Sequence, residues 1–319
     1  MQTARWLAMR SFNAIVTMIG VSVLIFLAVR QMPGSYTDLV LGPLSSEAEK
    51  AQYAAEYGLD ASLIEQYVRW LMEAAQGNLG MSLVSQLPVG EEFALRLPVT
   101  ISLTAMAMLL TVLIGLPLGI YSATRGGSGG AVGRLVSGFG ISLPEFVLGS
   151  LVVFLFSRYS LGLTIGDFTA LSDGVGASVR SLILPASVLA VFCIAATART
   201  TRDAVLNVLV EPHIAAAVGR GESKMFIIRH HVLRNAAIPV LTLTATITAY
   251  LLGGAVVIEA IFDIPGMGSY LIAALDRRDY AVIQGGVLLA TAVFVTMSLL
   301  VDLLSGLIDP RVSATKGGR

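Results

Sequence analysis

Charge is what this sequence has least of. Asp, Glu, Lys and Arg make up 13% of its 319 residues, against about 25% in an average soluble domain. Hydrophobic residues make up 55%. So little charge leaves a chain poorly able to hydrate its own surface, and the composition points to a membrane protein. The charges present balance, 21 basic against 21 acidic, and give no reason to expect a nucleic-acid partner. Cysteine is nearly absent. The single thiol, Cys193, excludes an intrachain disulfide, and its apolar surroundings in the sequence argue against a redox or metal role. The three histidines, His213, His230 and His231, all fall in one central segment, so no metal site is expected within the membrane. Nucleotide and metalloenzyme signatures are missing as well: no GxxxxGK[ST] loop and no HExxH or CxxC occurs. The expectation is a chain with no catalytic residues and no cofactor of its own.

Uncharged length is what the sequence has in abundance. A helix crossing a bilayer needs roughly 17–25 apolar residues. Six runs qualify: Ser11–Val29, Leu97–Thr124, Leu135–Ser157, Ser181–Ala198, Asn235–Ile258 and Tyr280–Val301. The expected fold is therefore an all-α polytopic membrane protein with six transmembrane helices. No cleavage signal follows the first run, which reads as a retained anchor. Only the third run carries a charge, Glu145, near its middle and directly after Pro144. An acid at the centre of a span costs about 2.5–3.5 kcal/mol on insertion scales, so it usually faces a bundle interior or a watery path. Glu145 is thus the candidate translocation-pathway residue. The alternative is a structural, protonated acid bonded to a neighbouring helix or to a carbonyl freed by Pro144.

Basic residues set the expected orientation. With the N-terminus inside, the cytoplasmic side receives 13 of the 21 Lys and Arg residues, among them Arg134, Arg311, Lys316 and Arg319. The acid-rich loop from Gln31 to Arg96 then lies outside. Within it, Ser46-x-x-Glu49 and Ser62-x-x-Glu65 read as capping boxes, each opening a helix. Those helices should end near Gly58 and Gly77, the second with an apolar face of Tyr67, Val68, Trp70 and Leu71. Such a loop is either a helical cap on the membrane domain or a docking surface. Gly126–Gly130 reads as a flexible turn, and Asp263–Tyr280 as an external or partly re-entrant loop.

The segment from Glu211 to Pro239, EPHIAAAVGRGESKMFIIRHHVLRNAAIP, is the long polar interruption of the second half. Pro212 suits a first helical position, Gly219 and Gly221 can end the helix, and Ser223 can cap a second one. The second helix would carry Lys224, Arg229 and Arg234 around an apolar face of Met225, Phe226, Ile228 and Val232. Ala215, Ala216 and Ala217 followed by Gly221 resemble the EAA loop of ABC-importer permeases. RHHVLRNAAIP, Arg229 to Pro239, resembles the matching run of the B-type permease subunit of dipeptide, oligopeptide and nickel importers. DIPGMGSYLIAALDRRDY, GNLGMSL and LVDLLSGLIDPRV are similar to further parts of that family. Ala215 stands where the wider family has Glu.

The resemblance implies a type I ABC-importer permease fold with a small helical periplasmic loop domain, in a bacterial or archaeal inner membrane with both termini cytoplasmic. It divides the chain into a tail and first helix (1–30), a periplasmic loop (31–96), a permease core (97–308) with a coupling loop at 211–239, and a cytoplasmic tail (309–319). Ala215, Ala216, Ala217, Gly221, Arg229, His230, Arg234, Asn235 and Pro239 are the coupling-loop residues it implies. Its partners would be a homologous C-type permease, two cytoplasmic ATPase subunits, an extracytoplasmic substrate-binding protein and membrane lipid. The cargo would be di- or oligopeptides, with nickel chelates, opines or other small solutes as alternatives. A secondary transporter is the rival class. It would need coupling-ion groups in broken helices related by a repeat, and no such repeat is evident.

Overall fold

The computed structural model describes residues 2–32, 36–42, 44–56, 58–125, 130, 137–159 and 166–308. Among the described residues there is no β-strand, only an isolated antiparallel bridge between Met81 and Pro88. The long first helix α1 (Gln2–Arg30) leads to three short ones, α2 (Tyr36–Leu41), α3 (Glu47–Glu56) and α4 (Leu63–Ala75). Then follow α5 (Val89–Thr124), α6 (Glu145–Tyr159), α7 (Val175–Leu209) and α8 (Pro212–Gly219). The chain continues with α9 (Leu233–Ile261), α10 (Met267–Arg277) and α11 (Tyr280–Ile308). Five helices among the described residues contain stretches long and apolar enough to cross a membrane: Ala8–Arg30, Val89–Thr124, Val175–Leu209, Thr242–Ile261 and Tyr280–Leu300. The protein is an all-α, multi-pass membrane protein.

The third expected span is not one continuous helix. Helix at 137–142 stops at Leu143–Pro144, and α6 starts afresh at Glu145. Proline has no N–H to donate and drives the preceding residue out of helical conformation. The Pro144 carbonyl then accepts from the N–H groups of Val147 and Leu148, opening the new helix. With 15 residues, α6 rises about 22 Å, short of the ~30 Å hydrocarbon core. Glu145 therefore sits in the first turn of a helix rather than within a continuous one, a position where a carboxylate suits the helix dipole. Residues 126–129 of the expected turn, Arg134, Leu135 and the tail 309–319 with Arg311, Lys316 and Arg319 lie outside the described residues.

The chain packs as two units, one built chiefly on Pro98–Ser269 and the other on Leu7–Leu97 with Tyr270–Val295. In the first unit α7 is central and packs against both α5 and α9. Leu103, Ala107, Leu189, Cys193, Leu251 and Ile258 form the middle of its core. Gly119 of α5 approaches α7 so closely that an added Cβ would press on the Ala198 carbonyl and on Thr201. Small residues allow this contact without a hydrophobic driving force inside lipid. Just before Pro117, α5 widens into a π turn over Thr111–Gly115. The wider turn makes room for a proline ring that would otherwise strike the carbonyl four residues back.

In the second unit both capping boxes are made. Ser62 and Glu65 cap α4 reciprocally, and the Ser46 backbone N–H donates to Glu49 at 2.8 Å. Gly58 and Gly77 take positive φ just past the ends of α3 and α4. The apolar face of α4 differs in detail from expectation: Val68 is exposed while Gln66 is buried. The Asp263–Tyr280 stretch is largely helical, forming α10. At its end the buried Asp279 accepts from the Ser82 hydroxyl at 2.6 Å and from the Val84 N–H at 3.3 Å. Arg96 lies over the Tyr270 ring, fastening the start of α5 to α10 within this unit.

Candidate functional site

The Glu211–Pro239 segment begins as expected. Pro212 opens α8, whose end is a Schellman motif: the Glu222 N–H donates to the Ala217 carbonyl and the Gly221 N–H to that of Val218. Gly221 occupies the left-handed position of that motif, at φ +79°, where a residue without Cβ fits without strain. Gly219 remains inside the helix. Ser223 caps the next turn by accepting from the Phe226 N–H.

The second helix is not a separate one. Lys224–Phe226 passes into a π turn, Ile227–Val232, and that turn runs without a break into α9. One arm of the hairpin is thus the first turns of a membrane helix. Its apolar face also differs from expectation. Val232 is buried as expected and Ile227 is buried with it, whereas Met225 is 73% and Phe226 46% exposed.

The buried side of the hairpin is firmly seated. Ile214, Ala217, Ile227 and Val232 join Val205 and Val208 of α7 and Ala236 of α9 in one apolar cluster. Lys224 Nζ donates to the Thr124 carbonyl at the end of α5, 3.2 Å away, a favourable place for a cation. Glu222 holds the bend from both sides, accepting from Arg220 at 2.6 Å and lying 2.9 Å from His231 Nε2. Arg220 chiefly keeps the Glu222 carboxyl below its ordinary value of 4.5.

The outer side of the hairpin presents Ala215, Ala216, Val218, Met225, Phe226, Arg229 and His230 to the surroundings. His230 stacks on Phe226 with centroids 4.2 Å apart. Asn235, also exposed, donates to the His231 carbonyl, and Arg234 and Pro239 are exposed on the first turns of α9. Of the nine expected coupling-loop residues, Ala217 alone is fully buried, so it anchors the hairpin instead of meeting a partner. The surface carried on this base is apolar and basic.

Glu145 is half-buried at the start of α6. Tyr250 of α9 donates to its carboxylate at 3.2 Å. Gly254 makes room for it, because an added Cβ would stand about 3 Å from both carboxylate oxygens. Tyr250 in turn stacks on Phe192 of α7, so the acid is placed by three helices.

Sequence reasoning missed Glu259. The fifth run ended one residue short of it, but α9 continues to Ile261, and Glu259 is fully buried. Thr100 donates to one carboxylate oxygen at 2.5 Å, and the Gly268 and Ser269 N–H groups donate to the other at 2.7 and 3.2 Å. Thr100 also accepts from the Met267 N–H. A Cβ on Gly266 would fall on the Glu259 carboxyl, and one on Gly268 would fall on Val256. The available signal was the pairing of an acid with Pro265-Gly266-Met267-Gly268 a few residues later.

Comparison with known proteins bears on the whole chain. Residues 115–314 match the family described as binding-protein-dependent transport system inner membrane component, and residues 3–104 match that family's N-terminal component. The chain is 37% identical to the probable peptide ABC transporter permease protein y4tP of Sinorhizobium fredii, over 95% of this chain and 97% of that protein. It is 36% identical to the dipeptide transport system permease protein DppB of Escherichia coli, over 94% of this chain and 96% of that one. A putative peptide transport system permease of Brucella suis is 37% identical, over 95% and 97%. An all-α, multi-pass architecture, a seated hairpin between two membrane helices and matches along almost its whole length agree: the chain belongs to the family of binding-protein-dependent transport system inner membrane components, the permeases of ABC transporters.

Proposed function

We propose that this chain is the permease subunit of an ATP-driven importer of di- and oligopeptides, and that Pro212–Asn235 couples it to a cytoplasmic ATPase. The observation that carries the coupling role is the two-sided hairpin. Its outer side is apolar and basic, while its inner side is locked to α7, to the end of α5 and to the start of α9. A push on Met225 and Phe226 has a short, packed route into two membrane helices. Peptide cargo is supported by the names of the relatives, which are peptide and dipeptide permeases.

In this reading a homologous C-type permease completes the membrane pore, two ATPase subunits hydrolyse ATP, and an extracytoplasmic binding protein delivers the cargo. The hairpin and both termini are cytoplasmic, and the 31–96 loop is on the opposite side. Closure of the ATPases draws the hairpin along and swings the spans between inward-open and outward-open arrangements.

The test is copurification with an ATPase whose activity rises when peptide-loaded binding protein is added, and loss of the link between that activity and uptake in Gly221→Val. Nothing lies within 4 Å of the Cβ that this change adds, so its effect comes through backbone alone. A β-branched residue held at positive φ costs about 1–2 kcal/mol, enough to misshape the bend and too little to unfold the spans. The expected variant is membrane-inserted and retains ATPase contact, but its ATP hydrolysis is no longer linked to peptide uptake. Coupled uptake at the wild-type level would remove the hairpin from the mechanism.

A further inference from the structure

Helix α4 directs three kinds of side chain to three sides. Tyr67 and Trp70 turn towards α1: the Tyr67 and Ser22 hydroxyls share a hydrogen bond of 2.8 Å, and the two rings lie 5.5 and 5.9 Å from that of Phe26. Gln66, Arg69 and Glu73 line a cavity of about 680 Å³ together with Arg30 and Asn78. Ile64, Val68 and Met72 recur at every fourth position and are 76%, 38% and 58% exposed. At about 100° per residue, this stripe lies about a third of a turn from the cavity side and about a third of a turn from the side that meets α1.

The contact with α1 fixes the depth of α4. The candidate span of α1 ends at Arg30, and Phe26 and Ser22 lie about one and two turns inside that end. At 1.5 Å per residue they stand about 6 and 12 Å below the terminal charge. A helix fastened at that level lies at the boundary between headgroups and acyl chains, the position of amphipathic interfacial helices. Two sides remain. The one carrying Arg69 and Glu73 belongs in water, so the apolar stripe, turned away from it and from α1, points into the leaflet. Val23, Leu24 and Leu27 of α1 are exposed at the same level along that helix, so apolar side chains are presented there by both helices.

We propose that α4 is an interfacial helix seated in the leaflet on the loop's side of the membrane, with Ile64, Val68 and Met72 among the acyl chains. The loop thereby has a fixed base in the membrane, and its cavity-bearing side is the one left for a soluble protein. The inference requires only that α1 crosses the bilayer and is independent of ATPase coupling.

Nitroxide labels test it in the full chain, purified with the subunits that accompany it, in nanodiscs of phosphatidylethanolamine and phosphatidylglycerol. Cysteines replace Val68, Met72 and Glu73 one at a time in a Cys193→Ser background. Oxygen concentrates among acyl chains, whereas a neutral nickel chelate stays in water. Labels at 68 and 72 should collide mainly with oxygen, and the label at 73 mainly with the nickel chelate. Nickel access at 68 and 72 equal to that at 73 would place the stripe in water. Low access to both reagents at 68 and 72 would mean that protein covers it. Either result overturns the proposal, and the second stripe position keeps the test decisive if one variant fails to assemble.

Discussion

Glu259 has both carboxylate oxygens engaged, one by the Thr100 hydroxyl and the other by the first free N–H groups of α10. The Thr100 hydroxyl and the Gly268 N–H are buried with it, and the Ser269 N–H is partly so. Replacing Glu259 by Ala strands the hydroxyl and two N–H groups, each at a cost of about 1–3 kcal/mol, and leaves a void as well. Glu259→Ala is therefore expected to lower the thermal midpoint of the purified protein markedly. Glu259→Gln keeps the shape and one accepting oxygen, so it should fall between the two. Gly268→Ala should mimic the loss from the other side, because its methyl would meet Val256. An unchanged midpoint in Glu259→Ala, measured by thermal unfolding in nanodiscs, would show that the cluster contributes nothing to stability. This residue was hidden from sequence reasoning by the way spans are found. The fifth run ends at Ile258 because Glu259 is the first charge after it, although the helix includes that acid and its hydrogen-bond partners offset part of the cost of burial. The Schellman glycine was legible by contrast, since a helix end needing positive φ leaves its mark in residue type.

Helices were legible where their cause is local. Capping boxes at Ser46 and Ser62, the proline start of α8 and the long apolar runs all follow from a few neighbouring residues, and they appear as read. Two elements departed. The arm after Ser223 merges into α9 because the apolar cluster below it pulls Ile227 and Val232 inward, and a π turn supplies the extra residue that this requires. The third run breaks at Pro144, where hydropathy is silent and backbone chemistry decides. That break changes the meaning of Glu145, now a first-turn acid held by Tyr250 and accommodated by Gly254. Glu145→Gln keeps an oxygen for the Tyr250 hydroxyl and removes the charge. We expect it to preserve the thermal midpoint while reducing uptake of substrates with a positive group relative to neutral ones. Equal uptake of both classes, with a lowered midpoint in Glu145→Leu, would assign the acid to holding α6 against α9 and nothing more.

Taken as a whole, the molecule must satisfy one constraint that no single residue or helix sets: which end of each span faces the cytoplasm. The proposed orientation rests on the distribution of Lys and Arg, because basic loops tend to be retained inside during insertion, and it groups the 211–239 hairpin with both termini. In that orientation the loop 31–96 is outside, since a single spanning helix, α1, separates it from the N-terminus. Leu44 is 99% exposed in that loop and Val210 is 84% exposed beside the hairpin, so cysteines at either site are accessible to reagent on their own side. In a Cys193→Ser background, a membrane-impermeant thiol reagent should label Leu44→Cys in intact cells. Val210→Cys should be labelled only once the membrane is opened. The Cys193 change alters no surface that the reagent reaches, because that thiol is fully buried between helices. The reverse pattern would put the hairpin on the wrong face for a cytoplasmic ATPase and would end the coupling proposal. It would leave family membership and the seating of α4 in its leaflet untouched, because those rest on sequence matches and on the depth of Ser22 rather than on the direction of insertion.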